Sequence, residues 1–329
     1  MALRWAISGT GDIVAKAVAP AMLADPGSTL VAVYSRDAAR AAECAARFGA
    51  PRAYTDFAAL LADDEVDAVY VGGEVGRHAP ETIAAARAGK HVLCEKPMAL
   101  DADEGRAMLG ACAASGVHLA IAYYRRYYPS VQRLQELVAG GVIGQPLQAA
   151  IDMAYWSHPA PDHPHRWRVE TGGGGALMDI GSHRLDVACW LLGEPRRVAG
   201  FTAHRVHGYA APDVETLLAE FADGCHLTLR CNWCGGANQD LLTLVGTEGI
   251  LLVGALEDTT FTLRRRGRPD EVCTVAPPAQ NRHLPLIADF AQRLGRGEAP
   301  RHDGWAGFQA TRLMAGCYRS AAGGLVVEV

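Results

Sequence analysis

From residue 3 to residue 123 the chain repeats one unit, a short apolar run followed by an alanine-rich stretch at helical spacing. Strands are predicted at 3–8, 30–34, 67–71, 91–94 and 117–122. Helices are predicted at 38–48, 80–88 and 102–114, with Gly49, Gly89 and Gly116 where their C-termini stop. A strand buried on both faces reads as a continuous apolar run, and strands alternating with helices join through right-handed crossovers. The pattern therefore predicts a doubly wound parallel sheet over residues 1–123.

The period changes in residues 124–329. After a helix at 130–139, longer strands are predicted at 147–156, 198–204, 215–222, 225–232, 240–245 and 261–265, with Ala222-Asp223-Gly224-Cys225 as a hairpin turn. Successive strands with few helices between them favour a mostly antiparallel sheet, covered on one face by helices at 176–192 and 285–294. The fold class is α/β in the first part and α+β in the second. The uncovered sheet face needs a partner, so a homodimer or homotetramer through the C-terminal sheet is expected.

Composition narrows the partners. Thirty-one basic and thirty-six acidic residues leave a net charge of −5 with no long block of one sign, which predicts no nucleic-acid and no membrane partner. Nine scattered cysteines in a chain of 329 residues suggest reduced thiols. No apolar window of membrane-spanning length and no secretion-signal pattern is present, and a cytoplasmic protein is expected. Cys231 and Cys234 have the spacing of a metal knuckle but no second pair, and they lie in a strand-like run. His158, His163 and His165 stand among prolines, where an irregular lid is at least as good a reading as a metal site. No metal is expected.

The first strand ends in Ser8-Gly9-Thr10-Gly11-Asp12-Ile13-Val14 and runs into a helix. In that context glycines serve a dinucleotide: Gly9 for the tight turn and Gly11 for close approach of a pyrophosphate to the backbone at a helix N-terminus. Val14 fills the third glycine slot, which concerns helix packing. A plain strand-to-helix turn is the simpler alternative. After the second strand come Ser35 and Arg36, with Arg40 one turn on, while Asp37 is placed to be a helix N-cap. A hydroxyl and guanidinium groups suit a ribose 2′-phosphate, so NADP(H) is preferred and NAD(H) is the alternative.

Two further groups carry chemistry. Glu95-Lys96-Pro97 follows a strand, where an open parallel sheet binds its ligand, and Pro97 biases Lys96 to an extended backbone. Gly172 to Gly175 lead into a helix on which Asp179 and His183, four residues apart, fall about 40° apart around an α-helical axis. Such a pair is commonly a surface feature. After four glycines, and with Asp186 a turn further on, it reads as a working site. The glycines are expected to let backbone approach a ligand.

These motifs, in order, resemble the glucose-fructose oxidoreductase/inositol dehydrogenase (Gfo/Idh/MocA) family. They are the N-terminal fingerprint, Glu95-Lys96-Pro97, the YYRRYYP run from Tyr123 to Pro129, the stretch from Gly173 to His183, and Leu244-Val245-Gly246-Thr247-Glu248-Gly249. The resemblance covers essentially the whole chain and implies a Rossmann domain followed by a substrate and oligomerisation domain. It implies Lys96, Asp179 and His183 as catalytic residues, with Tyr123 also at the substrate. Cofactor contacts are expected from Gly9, Thr10, Gly11, Asp12, Ile13, Ser35, Arg36, Arg40, Gly72, Gly73, His78, Glu95, Lys96, Pro97, Arg125, Trp167 and Arg168. Where relatives often have Thr-Pro, this chain has Gly72-Gly73-Glu74, and Glu74 either meets substrate hydroxyls or faces solvent.

The expected activity is an NAD(P)-dependent oxidoreduction of a sugar, polyol or related carbonyl compound. His183 acts as proton donor or acceptor, Lys96 steadies the alkoxide and Asp179 orients. An amine and an imidazole beside a pyridine ring are the groups this requires. The alternatives on the same scaffold are an NAD-dependent glycoside hydrolase and a non-catalytic cofactor or sugar sensor.

Overall fold

A computed structural model describes residues 2–157 and 167–329. His158, His163 and His165 lie outside the described residues. The chain divides into two compact units, Met1–Tyr124 with Ala279–Phe308, and Arg125–Pro278 with Gln309–Val329.

In the first unit, β1 (Leu3–Ser8), β2 (Ser28–Tyr34), β3 (Arg52–Tyr54), β4 (Ala68–Val71), β5 (His91–Cys94) and β6 (Leu119–Ile121) form one sheet. Their order is β3-β2-β1-β4-β5-β6, with every neighbouring pair parallel. The winding reverses between β1 and β4, and the crevice past their C-terminal ends is where such a sheet takes a ligand. Trp5, Ala6, Ile7 and all of β4 are fully buried, which is why these segments read as unbroken apolar runs. Gly49, Gly89 and Gly116 have φ of 71°, 75° and 66°, the left-handed geometry that closes a helix. Strand β3 is absent from the sequence reading because three residues, Arg-Ala-Tyr, carry no apolar run.

The helix Leu284–Gly295 corrects one expectation. It belongs to the first unit, not over the antiparallel sheet: the ring of Phe290 lies 5.2 Å from that of Trp5 in β1, and Asn281 Nδ2 donates to Ala17 O at 2.9 Å. Its stripe of Leu286, Ile287, Phe290 and Ala291 fits any apolar sheet face, and helical period alone does not say which sheet it covers.

The second unit holds β7 (Pro146–Trp156), β8 (Pro195–Ala203), β9 (Val214–Phe221), β10 (His226–Asn232), β11 (Cys234–Gly246), β12 (Gly249–Val253), β13 (Thr260–Arg265), β14 (Glu271–Thr274) and β15 (Val327–Glu328). They form one nine-stranded sheet in the order β14-β13-β12-β11-β7-β10-β9-β8-β15. Only the β7–β10 pair is parallel. The turn at Gly224, φ 81°, joins β9 and β10 as the sequence predicts. In β9 Glu215, Leu217, Ala219 and Phe221 are buried, while Leu218 on the other face is 52% exposed. The long helix Gly304–Gly323 escapes the sequence reading because glycines interrupt its apolar stripe. A Cβ on Gly307 would meet Ile121 at 2.5 Å, so this glycine lets the helix lie close against β6. Among the described residues no helix is long and apolar enough to cross a membrane.

Candidate active site

The turn after β1 has the shape of a phosphate cradle. Gly9 sits at φ 102°, and a Cβ there would come within 2.8 Å of Gly72 O at the end of β4, so two constraints require glycine. At Gly11 a Cβ would meet nothing within 4 Å, leaving the backbone open to a ligand. Thr10 Oγ1 is buried without a hydrogen-bond partner among the described residues. Val14, in the third glycine slot, is fully buried. It packs opposite Gly72, whose Cβ would meet Val14 Cγ2 at 3.2 Å, and the helix widens into a π-type turn over Val14–Val18. Asp12 and Lys16 pair across one turn, and Ile13 is 39% exposed.

At the end of β2, Ser35 is buried, and its Oγ accepts from Asp37 N–H at 3.3 Å. Asp37 caps the helix Ala38–Phe48: its Oδ1 accepts from Arg40 N–H at 3.1 Å. Arg36 and Arg40 are exposed, and Arg40 Nη2 points back to Thr10 O at 3.4 Å. An open glycine, an unpartnered hydroxyl and two guanidinium groups fit the pyrophosphate and ribose end of a dinucleotide.

Lys96 is held by its neighbour. Glu95, buried, accepts from Tyr70 OH at 2.5 Å and, through Oε2, from Lys96 N–H at 2.8 Å, with His283 Nε2 3.4 Å from Oε1. Burial alone would push the Glu95 carboxyl up, but the imidazole of His283, with Lys96 and the Tyr70 hydroxyl, outweighs it and holds the group at about 2. The Lys96–Pro97 bond is cis. His78, expected at the cofactor, is buried with Nδ1 2.8 Å from Pro97 O and Nε2 3.2 Å from Gly73 O, tying that turn to the end of β4. Gly72 is buried and Gly73 exposed, and half-buried Glu74 takes the N-cap position of helix Val75–Arg87 without capping it by its side chain.

In the second unit, helix 176–192 begins with a π-type turn, Leu177–Gly181, followed by the α-helix Ser182–Leu192. Asp179 is half-buried and His183 is 4% exposed. Gly174 and Gly175 before them are closely packed. A Cβ on Gly174 would overlap the Tyr318 hydroxyl, and one on Gly175 would overlap Pro212 O and the Glu215 carboxyl.

Asp186, read as part of the site, instead pairs with Arg126 in the core, at 2.6 and 2.8 Å with both groups buried, and the Arg126 guanidinium lies over the Trp190 ring. Tyr123 is buried, and Arg125 is half-buried near Arg184 and Tyr155. Burial lowers the Arg184 guanidinium and its ion pair with Asp240 raises it. Trp167 is buried against Tyr209 and Trp233, ring centroids 4.8 and 4.7 Å away, and Arg168 is exposed. Arg264 and Arg265 pair with Asp270 and Glu271 across the β13–β14 hairpin. Among the described residues no cluster of acidic, histidine and cysteine side chains could hold a metal ion.

Sequence reasoning missed His283, Tyr70, Glu215 and Tyr318. Glu215 had a signal, since it is the one acidic residue in phase with the buried apolar positions of β9.

Two family models match the chain. An oxidoreductase family with an NAD-binding Rossmann fold covers residues 3–123, and the GFO/IDH/MocA C-terminal domain covers residues 131–252. The D-xylose 1-dehydrogenase (NADP(+)) 2 of Haloferax volcanii is 31% identical over 99% of this chain and 100% of that protein. The chain belongs to the GFO/IDH/MocA oxidoreductase family. Another relative in this family is the dTDP-3,4-didehydro-2,6-dideoxy-alpha-D-glucose 3-reductase of Streptomyces antibioticus, 32% identical over 95% of this chain and 96% of that one. The aldose-aldose oxidoreductase of Caulobacter crescentus, solved with glycerol, superposes with a TM-score of 0.89 at 26% identity, covering all of both chains. The GFO/IDH/MocA assignment makes this chain an oxidoreductase with an NAD-binding domain.

Proposed function

We propose that this protein moves a hydride between nicotinamide and a sugar, polyol or related hydroxylated carbonyl compound, with NADP(H) preferred. The glycine turn carries the reading: it keeps an open face at Gly11 beside the unpartnered hydroxyl of Thr10. The sugar class is drawn from the relatives, named as D-xylose and deoxyglucose oxidoreductases. The NADP(H) preference follows from Ser35, Arg36 and Arg40 at the end of β2, where Asp37 is already engaged as a helix cap. The first unit, 1–124 with 279–308, is the dinucleotide domain in this reading, and the second carries the substrate.

When bound, the nicotinamide supplies or accepts the hydride. The protein's own groups handle the proton. In the reducing direction His183 donates a proton to the carbonyl oxygen as it becomes an alcohol, and the Lys96 ammonium steadies the negative charge that develops there. Asp179 orients the substrate hydroxyls or the imidazole. A placed acid or base contributes roughly 10²- to 10⁴-fold in rate. The Glu95 carboxylate fixes the backbone of Lys96, so the amine starts from an ordered stem.

Assembly is proposed through the outer face of the nine-stranded sheet. There Ala199, Leu218, Thr228, Ala150, Thr243 and Leu252 stand in register across five strand pairs as a row of small and apolar side chains. The thiols, all free among the described residues, suit a reducing cytoplasm.

Aldoses, ketoses, inositols and diketones assayed with NADPH and NADH test the reading. Steady consumption of NADPH with a carbonyl substrate is expected. Cleavage of glycosides by a dinucleotide that stays bound and is not consumed would replace it with the hydrolase.

A further inference from the structure

The helix that carries Asp179 and His183 starts with backbone N–H groups that no residue within the helix can satisfy. Two residues remote in sequence hold this end, one on the first N–H of the helix and one on the turn just before it. Glu215 Oε1, from β9, accepts from Leu177 N–H at 3.3 Å, and Tyr318 OH, from the helix Gly304–Gly323, accepts from Gly175 N–H at 3.1 Å. The two are joined to each other, since the Tyr318 hydroxyl donates to Glu215 Oε1 at 3.1 Å. They fill the space that side chains on Gly174 and Gly175 would need, which accounts for the glycines. A carboxyl on an inward position of a strand is costly unless something requires it.

We propose that Glu215 and Tyr318 are positioning residues: together they cap the π-type turn Leu177–Gly181 from outside and so set where Asp179 and His183 stand. The inference rests on the reading of His183 as the proton donor.

Charge bears on how the cap works. Burial pushes the Glu215 carboxyl up to about 8, against the hydrogen bonds from Leu177 and Tyr318, and Asp213 pushes the same way as burial. The other titratable groups facing it are Cys231 of β10, whose Sγ is 3.9 Å from Oε2, and Cys317 beside Tyr318. Near neutrality the cap is thus a neutral carboxyl that keeps its acceptor oxygen on Leu177. Above pH 8 it becomes a buried anion beside Asp213 with no basic side chain among the groups that shift it.

Three variants test this: Glu215→Leu, Glu215→Gln and Tyr318→Phe, each confirmed folded by circular dichroism. The readouts are kcat and KM with the best substrate of the screen, the NADPH Kd by fluorescence titration, and amide hydrogen exchange over residues 174–181. The Leu variant is expected to lose at least tenfold in kcat and to exchange faster over that segment, with NADPH Kd unchanged. The Gln variant, which keeps the acceptor, is expected within about twofold of wild type at pH 7 and without the activity loss expected of wild type above pH 8. Tyr318→Phe is expected to show the same faster exchange in that segment, and it serves if Glu215→Leu does not fold. Unchanged exchange and kcat in folded Glu215→Leu or Tyr318→Phe would overturn the proposal, as would a Gln variant as impaired as Leu. His183→Ala in the same series separates the two claims: if it keeps wild-type turnover the assignment of His183 is wrong, whereas the exchange result still decides the cap.

Discussion

The carboxylate of Glu95 and the imidazole of His283 lie 3.4 Å apart, both buried, at the point where the Lys96 turn leaves β5. His283 comes from a segment far along the chain and is packed against the Tyr124 ring at 4.5 Å. Glu95 titrates in the folded protein at about 2, below its ordinary value of 4.5. Its contribution to stability is therefore present above the unfolded value and lost as pH falls from there through about 2. His283→Leu removes the partner and leaves a buried carboxylate less well paired. The expected cost is about 3–5 kcal/mol, with acid unfolding shifted to higher pH. Acid titrations followed by circular dichroism check this, and coincident curves would contradict it.

The glycines separate into two classes by what surrounds them. Gly175 is enclosed by Pro212 and Glu215, and Gly175→Ala is expected to destabilise the fold by roughly 1–3 kcal/mol through overpacking. Gly11 faces open space, so Gly11→Ala is expected to leave the melting temperature within a degree or two and to weaken NADPH binding at least tenfold. Thermal melts with and without NADPH distinguish the two.

Glu215 is an acid with a raised folded-state value, about 8 against 4.5. Between those values the unfolded chain has lost the proton that the native state keeps, so this group's contribution is full below 4.5 and falls as pH rises through 8. Glu215→Gln removes the dependence. The variant's stability relative to wild type is expected to rise by on the order of a few kcal/mol between pH 5 and pH 8, read from urea unfolding at each pH. A difference that does not change with pH would contradict the protonation state assigned to Glu215.

Arg36 and Arg40 stand exposed beyond β2. Replacing both with alanine is expected to raise the NADPH Kd by about 10- to 100-fold, with NADH little changed and the effect shrinking in high salt. Equal losses for both dinucleotides would remove the basis for the NADP(H) preference.

Much of this was legible from residue order alone, for identifiable reasons. Strands β1, β4 and β5 are buried on both faces, so each wrote itself as an apolar run, and the glycine turn was readable because a strand precedes it and a helix follows. Short edge elements such as Arg52–Tyr54 and Val327–Glu328 bury too little to leave a pattern. Helix Leu284–Gly295 is legible as a helix but its sheet is not, because a stripe of apolar residues does not name its partner. The site's supports were harder. Asp186, a turn beyond His183, supports the reading of a working site by its spacing, yet it is satisfied by Arg126, a pairing that only folding reveals. The Glu215–Tyr318 cap joins residues 103 apart in sequence, and its only trace is an acid in phase with buried neighbours.

Proton transfer by His183 in an NAD(P)-dependent oxidoreduction is decided by His183→Ala assayed for NADPH consumption with the best carbonyl substrate of the screen, beside its NADPH Kd. A loss of about 10²-fold or more in kcat is expected, with the Kd within twofold of wild type. Wild-type turnover in the folded variant would contradict it.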